Sequence, residues 1–575
     1  MTVRASRSTA NHRAASAQRH PSWGVRAATA LMFRRHRVAL VAWCVPLLLM
    51  VAITVPAYQS TYPGLEQRAP LVAQMQNTDG MRLLYGILND PGTLGQLFTW
   101  EVGSYVVILT CVMALLLGIS TTRGEEDSGG LELVRTSGVH PVAPLVGAVI
   151  LVFTACALVG GGSAAILLVQ MTSTTELTVS GALGFGAVTT LAAFTVGLAA
   201  ILCAQLRDEA RGARALAFTG LGVAFLMRVV ADQAIADSAW PQWLKTLNWW
   251  TPFGWKQVVS PYTEDRLWTL AVFAGVCVVL LAVVTALYRS REYLAAVLPN
   301  RSASRRRLSV ATVEGWSWAS GRPHVLGWFV AVLLVAALFG SMTAGLVQTL
   351  RDSQPTRDLI EQMSASGSVP QQQVSDPAYL LAQYYEFLGF YVALLVAVFA
   401  ISAVLKWRVE EKSGHLDLEL TAGTRRWRSL LARCTVAMFS SAFLLAAAAG
   451  VMGWLGELQM ANDVGAGEPF RQSMTSTFGQ LPAVMAGIGG AALLIALVPR
   501  AAGAIWAVIA VSAFLQTFGG LVNLPQWIRN LGLYAWAPAP GDSWPWAQMG
   551  LLAGVGVVGT LAAAALVSRR DITTG

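Results

Sequence analysis

Six acidic side chains in this 575-residue sequence stand in a pattern suited to ionic docking. Arg123 to Gly138 reads RGEEDSGGLELVRTSG. Arg408 to Gly423, a constant 285 positions later, reads RVEEKSGHLDLELTAG. The Glu125–Glu126 doublet is matched by Glu410–Glu411, Gly129 by Gly414, and Glu132 by Asp417. Two leucines, a Thr and a closing Gly also coincide. In the same register Glu101 and Glu386 each precede an apolar run. Matching charges and glycines at one offset point to a unit written twice. If the helix runs unbroken from Glu125 to Glu132, the acids share a face. With Leu131, Leu133, Leu416 and Leu418 beside them, such a helix suits a basic, partly apolar groove in a soluble partner. The plainer alternative is that the acids solvate a loop and that Gly138 and Gly423 stop helices.

The surrounding elements are apolar. Hydrophobic residues make up 55% of the chain and charged ones 12%, with mean hydropathy +0.55. A soluble domain carries roughly 25% charged residues. About twelve runs reach the ~20 residues that cross a hydrocarbon core. In the first half they are 38–57, 102–120, 143–169, 182–205, 215–234 and 267–288. The second half offers 323–346, 387–405, 431–455, 479–498, 504–523 and 547–567. The fold class is therefore all-α and polytopic, with two parallel six-helix repeats. Residues 1–36 form a basic arm, expected to be disordered, and 37–295 the first repeat. A basic linker spans 296–322, and 323–575 is the second repeat.

Charge sets the expected orientation. Residues 1–37 carry eight arginines and no acid, and 289–322 seven arginines against two glutamates. Loops 58–100 and 346–385 are mixed or acidic. The positive-inside rule places both termini, the linker and both Glu-Glu loops in the cytoplasm of a plasma-membrane protein. The net charge of +9 then reads as a topology signal and a contact for anionic lipid, with no call for nucleic acid. Arginine outnumbers lysine nine to one, which fits the coding bias of a high-GC bacterium. All six cysteines fall in predicted spans without metal-type spacing, and the histidines form no cluster, so neither a metal site nor a disulfide framework is expected.

Ionisable residues inside spans usually mark function. Arg228, with Asp232 one turn on, is the foremost candidate; a local ion pair is the alternative. The second half has Gln516 and Thr517 in that neighbourhood. Glu101 beside Tyr105, and Glu386 beside Phe390 and Tyr391, stand at paired span mouths. They suit cationic amphiphiles or a gate, unless they merely cap helix N-termini. Tryptophans and prolines crowd the segments between fifth and sixth spans (Trp240 to Trp255, then Trp527, Trp536, Pro538 and Pro540), as an aromatic belt would.

The acidic segment resembles the cytoplasmic motif between the second and third spans of ABC-2 type exporter permeases. The resemblance continues in MRLLYGILND (81–90), FTWEVG (98–103), FLMRVVAD (225–232), NWWTPFGW (248–255) and YRSREYL (288–294). Together these are similar to the double-length, twelve-span permeases that export polyketide antibiotics, and the first half matches better than the second. The resemblance implies that Glu125, Glu126, Gly129, Glu132, Glu410, Glu411, Gly414 and Asp417 contact an ATPase subunit. It also implies short re-entrant helices in the Trp-rich segments. The second copy departs at Lys412, His415 and Arg425-Arg426-Trp427-Arg428, so two unequal docking sites are expected.

The chain offers no phosphate-cradling loop of its own. Such a loop needs Gly immediately before its Lys. The four lysines, Lys245, Lys256, Lys406 and Lys412, follow Leu244, Trp255, Leu405 and Glu411. ATP and magnesium would then be bound by a separate partner, in two copies. The expected function is a non-enzymatic exporter permease for hydrophobic or amphiphilic drugs and antibiotics. An envelope lipid or glycolipid exporter of the same type is the nearest alternative. An ion-driven transporter would want acids or histidines mid-membrane, and a membrane-embedded enzyme would want clustered acids; neither stands out.

Overall fold

The structure, a computed structural model, describes residues 24–61, 64–77, 79–237, 239–292, 295–297, 312–343, 377–460, 468–518, 525–536 and 546–570. Most of the N-terminal arm, the centre of the linker, residues 344–376, the end of the expected run 504–523 and the residues Pro538 and Pro540 lie outside that set. Among the described residues, twelve helices are long and apolar enough to cross a membrane, and regular structure is helical throughout. The protein is an all-α polytopic membrane protein.

Two compact units divide the chain, Met1–Arg306 and Arg307–Gly575. Spans 1 to 6 of the first are Val25–Thr61, Val102–Ser120, Ala143–Gln170, Val179–Leu206, Ala210–Ala236 and Thr269–Ser290. Those of the second are Val313–Ser341, Pro377–Lys412, Arg426–Met460, Leu481–Leu497, Ile505–Phe518 and Trp546–Arg569. Within the described residues, each expected apolar run falls on one of these helices. The fourth span of the second unit is extended by Pro469–Ser473 and a π-turn, Met474–Phe478.

Two boundaries differ from expectation for one reason. Span 1 of the first unit begins at Val25, inside the arm expected to be disordered, and span 1 of the second begins at Val313, inside the expected linker. Hydropathy marks only the lipid-crossing stretch. A helix continues beyond it wherever its polar turns find partners, as Arg35 does on Glu125 at 2.5 Å.

Small residues let the spans approach at backbone distance, which favours helix packing in lipid. A Cβ on Gly186 would lie 2.5 Å from the Gly160 carbonyl oxygen, closing spans 3 and 4 of the first unit. In the second unit, one on Gly489 would lie 2.5 Å from the Gly556 oxygen, closing spans 4 and 6. Cys111, Cys156 and Cys434 are free thiols buried among these apolar contacts.

Outside the spans, Arg68 stitches two connections together. Its fully buried guanidinium donates to Glu176 Oε2 at 2.8 Å and Oε1 at 2.5 Å, while Glu176 Oε2 also accepts from the Leu94 amide at 2.8 Å. The Arg68 bonds hold the Glu176 carboxyl below the usual range. A depressed folded value stabilises above the unfolded value, about 4.3, and that contribution is lost as pH falls through the folded value. Wild-type thermal stability in detergent is therefore expected to drop through this acid window. Glu176→Gln should be less stable at neutral pH and lack that part of the acid loss; a parallel pH profile in the variant would contradict the assignment.

Candidate functional site

The acidic segments are built as interrupted helices. Span 2 of the first unit ends at Ser120, a five-residue helix Arg123–Asp127 follows, and a second short helix covers Gly130–Thr136. Gly129 between them has φ +73°, and Gly138 after them φ +77°. In the second unit span 2 runs unbroken to Lys412, Gly414 turns at φ +75°, His415–Thr421 is helical, and Gly423 closes at φ +89°. Each segment thus uses glycine twice where the backbone is left-handed, which only glycine adopts freely. The expected continuous helix from Glu125 to Glu132 is therefore corrected. The left-handed glycine breaks it, and the two acids lie on different helices.

Burial divides the acids differently from expectation. Glu126 is 4% exposed and Glu411 2%, so neither carboxylate presents itself to a partner. Glu126 accepts from Arg123 Nη1 at 2.5 Å and is also paired with Arg291. Glu411 accepts from Arg408 Nη1 at 2.6 Å and is paired with Arg570. Glu125 is held by Arg35, with His36 Nε2 3.8 Å away. Glu410 is held by Arg433 and has Lys406 at 3.5 Å. Glu132 and Asp417 are exposed on the two short helices that follow the glycines; Asp127, also exposed, is taken up by the start of span 5. Leu131 and Leu416 are buried beneath their short helices, while Leu418 is open.

The two segments are also unequal. In the first unit an apolar cleft opens beside Glu125 and Gly130, walled by Leu31 and Met32 of span 1 and by Leu131 and Val134. At the 285 offset, Leu31 becomes Trp316 and Val134 becomes Glu419. There the Trp316 indole Nε1 donates to Glu419 Oε1 at 3.2 Å, and Arg433 Nη2 lies 2.8 Å from the same oxygen. Burial raises the Glu419 carboxyl, but the bonds from Arg433, Ser429 and Trp316 outweigh it and hold it below the usual range.

A second polar centre lies at the far end of the first unit. Span 5 starts where Asp127 accepts from the Ala210 amide at 2.8 Å, and Arg228 is eighteen residues on, about 27 Å along the helix. Arg228 Nε lies 3.1 Å from Asp232 Oδ2, so the local ion pair forms. The guanidinium also donates to the Leu83 carbonyl at 2.7 Å and the Leu84 carbonyl at 3.1 Å, at the C-terminal end of helix Asp79–Tyr85. A cation at those unpaired carbonyls is favoured by the helix dipole. Asn248 Nδ2 donates to Asp232 Oδ1 at 2.9 Å. Lys256 Nζ donates to the Thr99 carbonyl at 2.9 Å and to Ser104 Oγ at 2.5 Å. Burial, then the neighbouring Arg228 charge, pushes the Lys256 ammonium down to about 7. Segments 81–90, 98–103, 225–232 and 248–255 thus converge on one buried network.

The remaining candidates are placed less centrally. Tyr105 joins the network's edge through a 2.9 Å hydroxyl contact with Tyr85. Glu101 separates helix Leu94–Trp100 from span 2, and its side chain makes no capping bond. Glu386 lies inside helix Pro377–Lys412, well past its start. Glu101 thus stands at the N-cap of span 2 without a side-chain bond to it, whereas Glu386 is at no helix N-terminus. Phe390 is buried edge-on against Tyr534 at 5.1 Å and touches Tyr391 at the same distance. Gln516 is half-buried on span 5 of the second unit, where nothing equivalent to the Arg228 network forms among the described residues. Trp243, Trp250 and Trp527 are exposed as a belt requires, whereas Trp255 is buried and stacked on Phe273 at 4.1 Å.

Reading the sequence by motif passed over Arg35, Arg291, Arg570, Arg433 and Lys256. For Lys256 a signal existed: one of only four lysines in an arginine-rich chain stands directly after an aromatic, Pro-broken segment.

Comparisons with known proteins agree on a class. Residues 311–568 match the family model described as the C-terminal domain of the multidrug efflux system permease Rv1217c. Over 514 residues, 89% of this chain and 88% of the relative, the sequence is 29% identical to the multidrug efflux system permease protein Rv1217c of Mycobacterium tuberculosis (strain ATCC 25618 / H37Rv). With its twelve apolar helices, the chain is similar over most of its length to a multidrug efflux permease.

Proposed function

We propose that this chain is the membrane-spanning permease of an ABC-2 type exporter for hydrophobic or amphiphilic drugs. Two copies of a separate ATPase, which bind ATP and magnesium, dock on the segments 123–138 and 408–423 from the cytoplasm. The observation that carries this reading is the duplicated device after span 2. In both units a buried Glu anchors the segment, a left-handed glycine turns it, and a short helix displays one exposed acid, Glu132 or Asp417. A short helix on a rigid base is suited to receive force from a soluble partner. The network around Arg228 and Lys256, with the exposed tryptophans beside it, then forms the base of the outer face.

The cargo class follows from the similarity to a multidrug efflux permease and from walls poor in charge. The half-buried Glu101 and Glu386 carboxylates favour cationic amphiphiles.

Charge reversal of the exposed acids tests docking without touching the buried ones. The Glu132→Lys, Asp417→Lys double variant in lipid nanodiscs should bind its ATPase on the order of 100-fold more weakly, because like charges facing across an interface cost several kcal/mol. Unchanged binding would remove the exposed acids from the interface. The first-unit segment, with its open cleft, should contribute the larger share.

A further inference from the structure

The buried second carboxylate of each doublet has a place that docking leaves unused. Glu126 sits between two guanidiniums, Arg123 of its own segment and Arg291 directly after span 6. Of the two, Arg123 also reaches the end of span 4. Arg123 Nε donates to the Ala204 carbonyl at 3.1 Å, and both donate to Ala295, Arg123 Nη2 at 3.2 Å and Arg291 Nη1 at 2.9 Å. The strand of chain after span 6 is stitched on by the Val297 amide, which donates to the Gln205 carbonyl at 3.1 Å.

The second unit reaches the same result by a different route. Glu411 sits between Arg408 and Arg570, and here Arg570 Nη1 donates to the Ile495 carbonyl at the end of span 4, at 2.5 Å. Arg570 is tied down in turn by Arg426 Nη1, which donates to its carbonyl at 2.5 Å. Arg291 and Arg570 do not correspond at the 285 offset, and the carbonyl of span 4 is bonded by a different arginine in each unit. Arg123 and Glu126 match Arg408 and Glu411 at that offset, and Arg291 and Arg570 each stand directly after span 6; this twice-built geometry argues for a common mechanical role.

We infer that each Arg–Glu–Arg triad is a transmission clamp. It makes the acidic segment and the ends of spans 2, 4 and 6 move as one body, so that a push on the short helix displaces three spans together. A carboxylate with both oxygens engaged by guanidiniums, away from water, is geometrically specific in a way that a surface pair is not. Arg291 and Arg570 are thus positioning residues for transport, acting through Glu126 and Glu411 and touching neither ATPase nor cargo. This rests on the ATP-driven reading above.

The test uses the full chain with its ATPase in proteoliposomes, and reads ATP hydrolysis and dye transport in the same sample. Arg291→Gln and Arg570→Gln should assemble with the ATPase and hydrolyse ATP, but move about tenfold less dye per ATP, within the ~5–150-fold span of inter-site couplings. The milder Arg291→Lys and Arg570→Lys keep the charge and lose the planar fork, and cover the case in which the Gln variants fail to fold. The swapped pair Glu126→Arg with Arg291→Glu should recover transport per ATP to within about threefold of wild type. The Glu126→Cys, Arg291→Cys pair lacks the clamp and should move little dye per ATP, and joining the two cysteines with a reducible bifunctional thiol reagent should raise that ratio, since the covalent link takes the clamp's place. Hydrolysis and transport falling in proportion, or a ratio that the cross-link fails to raise, would overturn the clamp. Wild-type protein that couples to no ATPase would instead defeat the ATP-driven reading and take the clamp's role with it.

Discussion

Replacing Glu126 or Glu411 with Ala is expected to destabilise its unit by about 3–5 kcal/mol, the loss typical of removing one partner from a buried ion pair. Each substitution strands two guanidiniums facing one another, Arg123 with Arg291 or Arg408 with the half-buried Arg570. Glu132→Ala and Asp417→Ala, at exposed positions of the same motif, should stay within about 0.5 kcal/mol of wild type. Thermal unfolding in detergent, followed by tryptophan fluorescence, separates the two classes. Equal effects of buried and exposed acids would contradict the assignment. A variant with all four doublet glutamates changed to Ala would mix these roles, because its loss of ATPase binding could come from loss of the fold.

The second large effect is expected at the far end of the first unit. Arg228→Ala leaves Asp232 buried with only Asn248 as a neutral partner, and frees the Leu83 and Leu84 carbonyls. A loss of about 3–5 kcal/mol is expected here too. The double variant Arg228→Met, Asp232→Leu removes both charges and should recover part of the loss. It should not return to wild type, because the two carbonyls at the end of helix Asp79–Tyr85 stay uncapped. A double-mutant cycle isolates the ion pair from the cap. Full recovery in the double variant would mean that the helix end needs no cation.

The spans were legible because long apolar runs admit few other structures, and all twelve fall where hydropathy puts them. The acidic segment was legible as a repeated object, since a constant offset preserves Glu, Gly and Leu positions. Its interior was not. Whether Glu126 faces water or arginine depends on Arg291, which lies 165 positions away in sequence. Arg291 and Arg570 are 279 positions apart, six short of the repeat, so a search at one offset passes over them. The break at Gly129 was encoded locally but competed with a strong helical pattern on either side. Arg228 was visible as a charge in a span. The network around it draws on three further segments that only folding brings to it, and Lys256 was lost because its neighbours were weighed only against a nucleotide site.

ATP-driven export requires this chain and a separate ATPase together. It is tested most directly by the uptake of a cationic amphiphilic dye into inside-out proteoliposomes holding both proteins. The account predicts uptake that requires the chain, the ATPase and hydrolysable ATP together, and that persists when proton and sodium gradients are collapsed. Uptake by the chain alone under an imposed proton or sodium gradient, with no response to ATP, would contradict it.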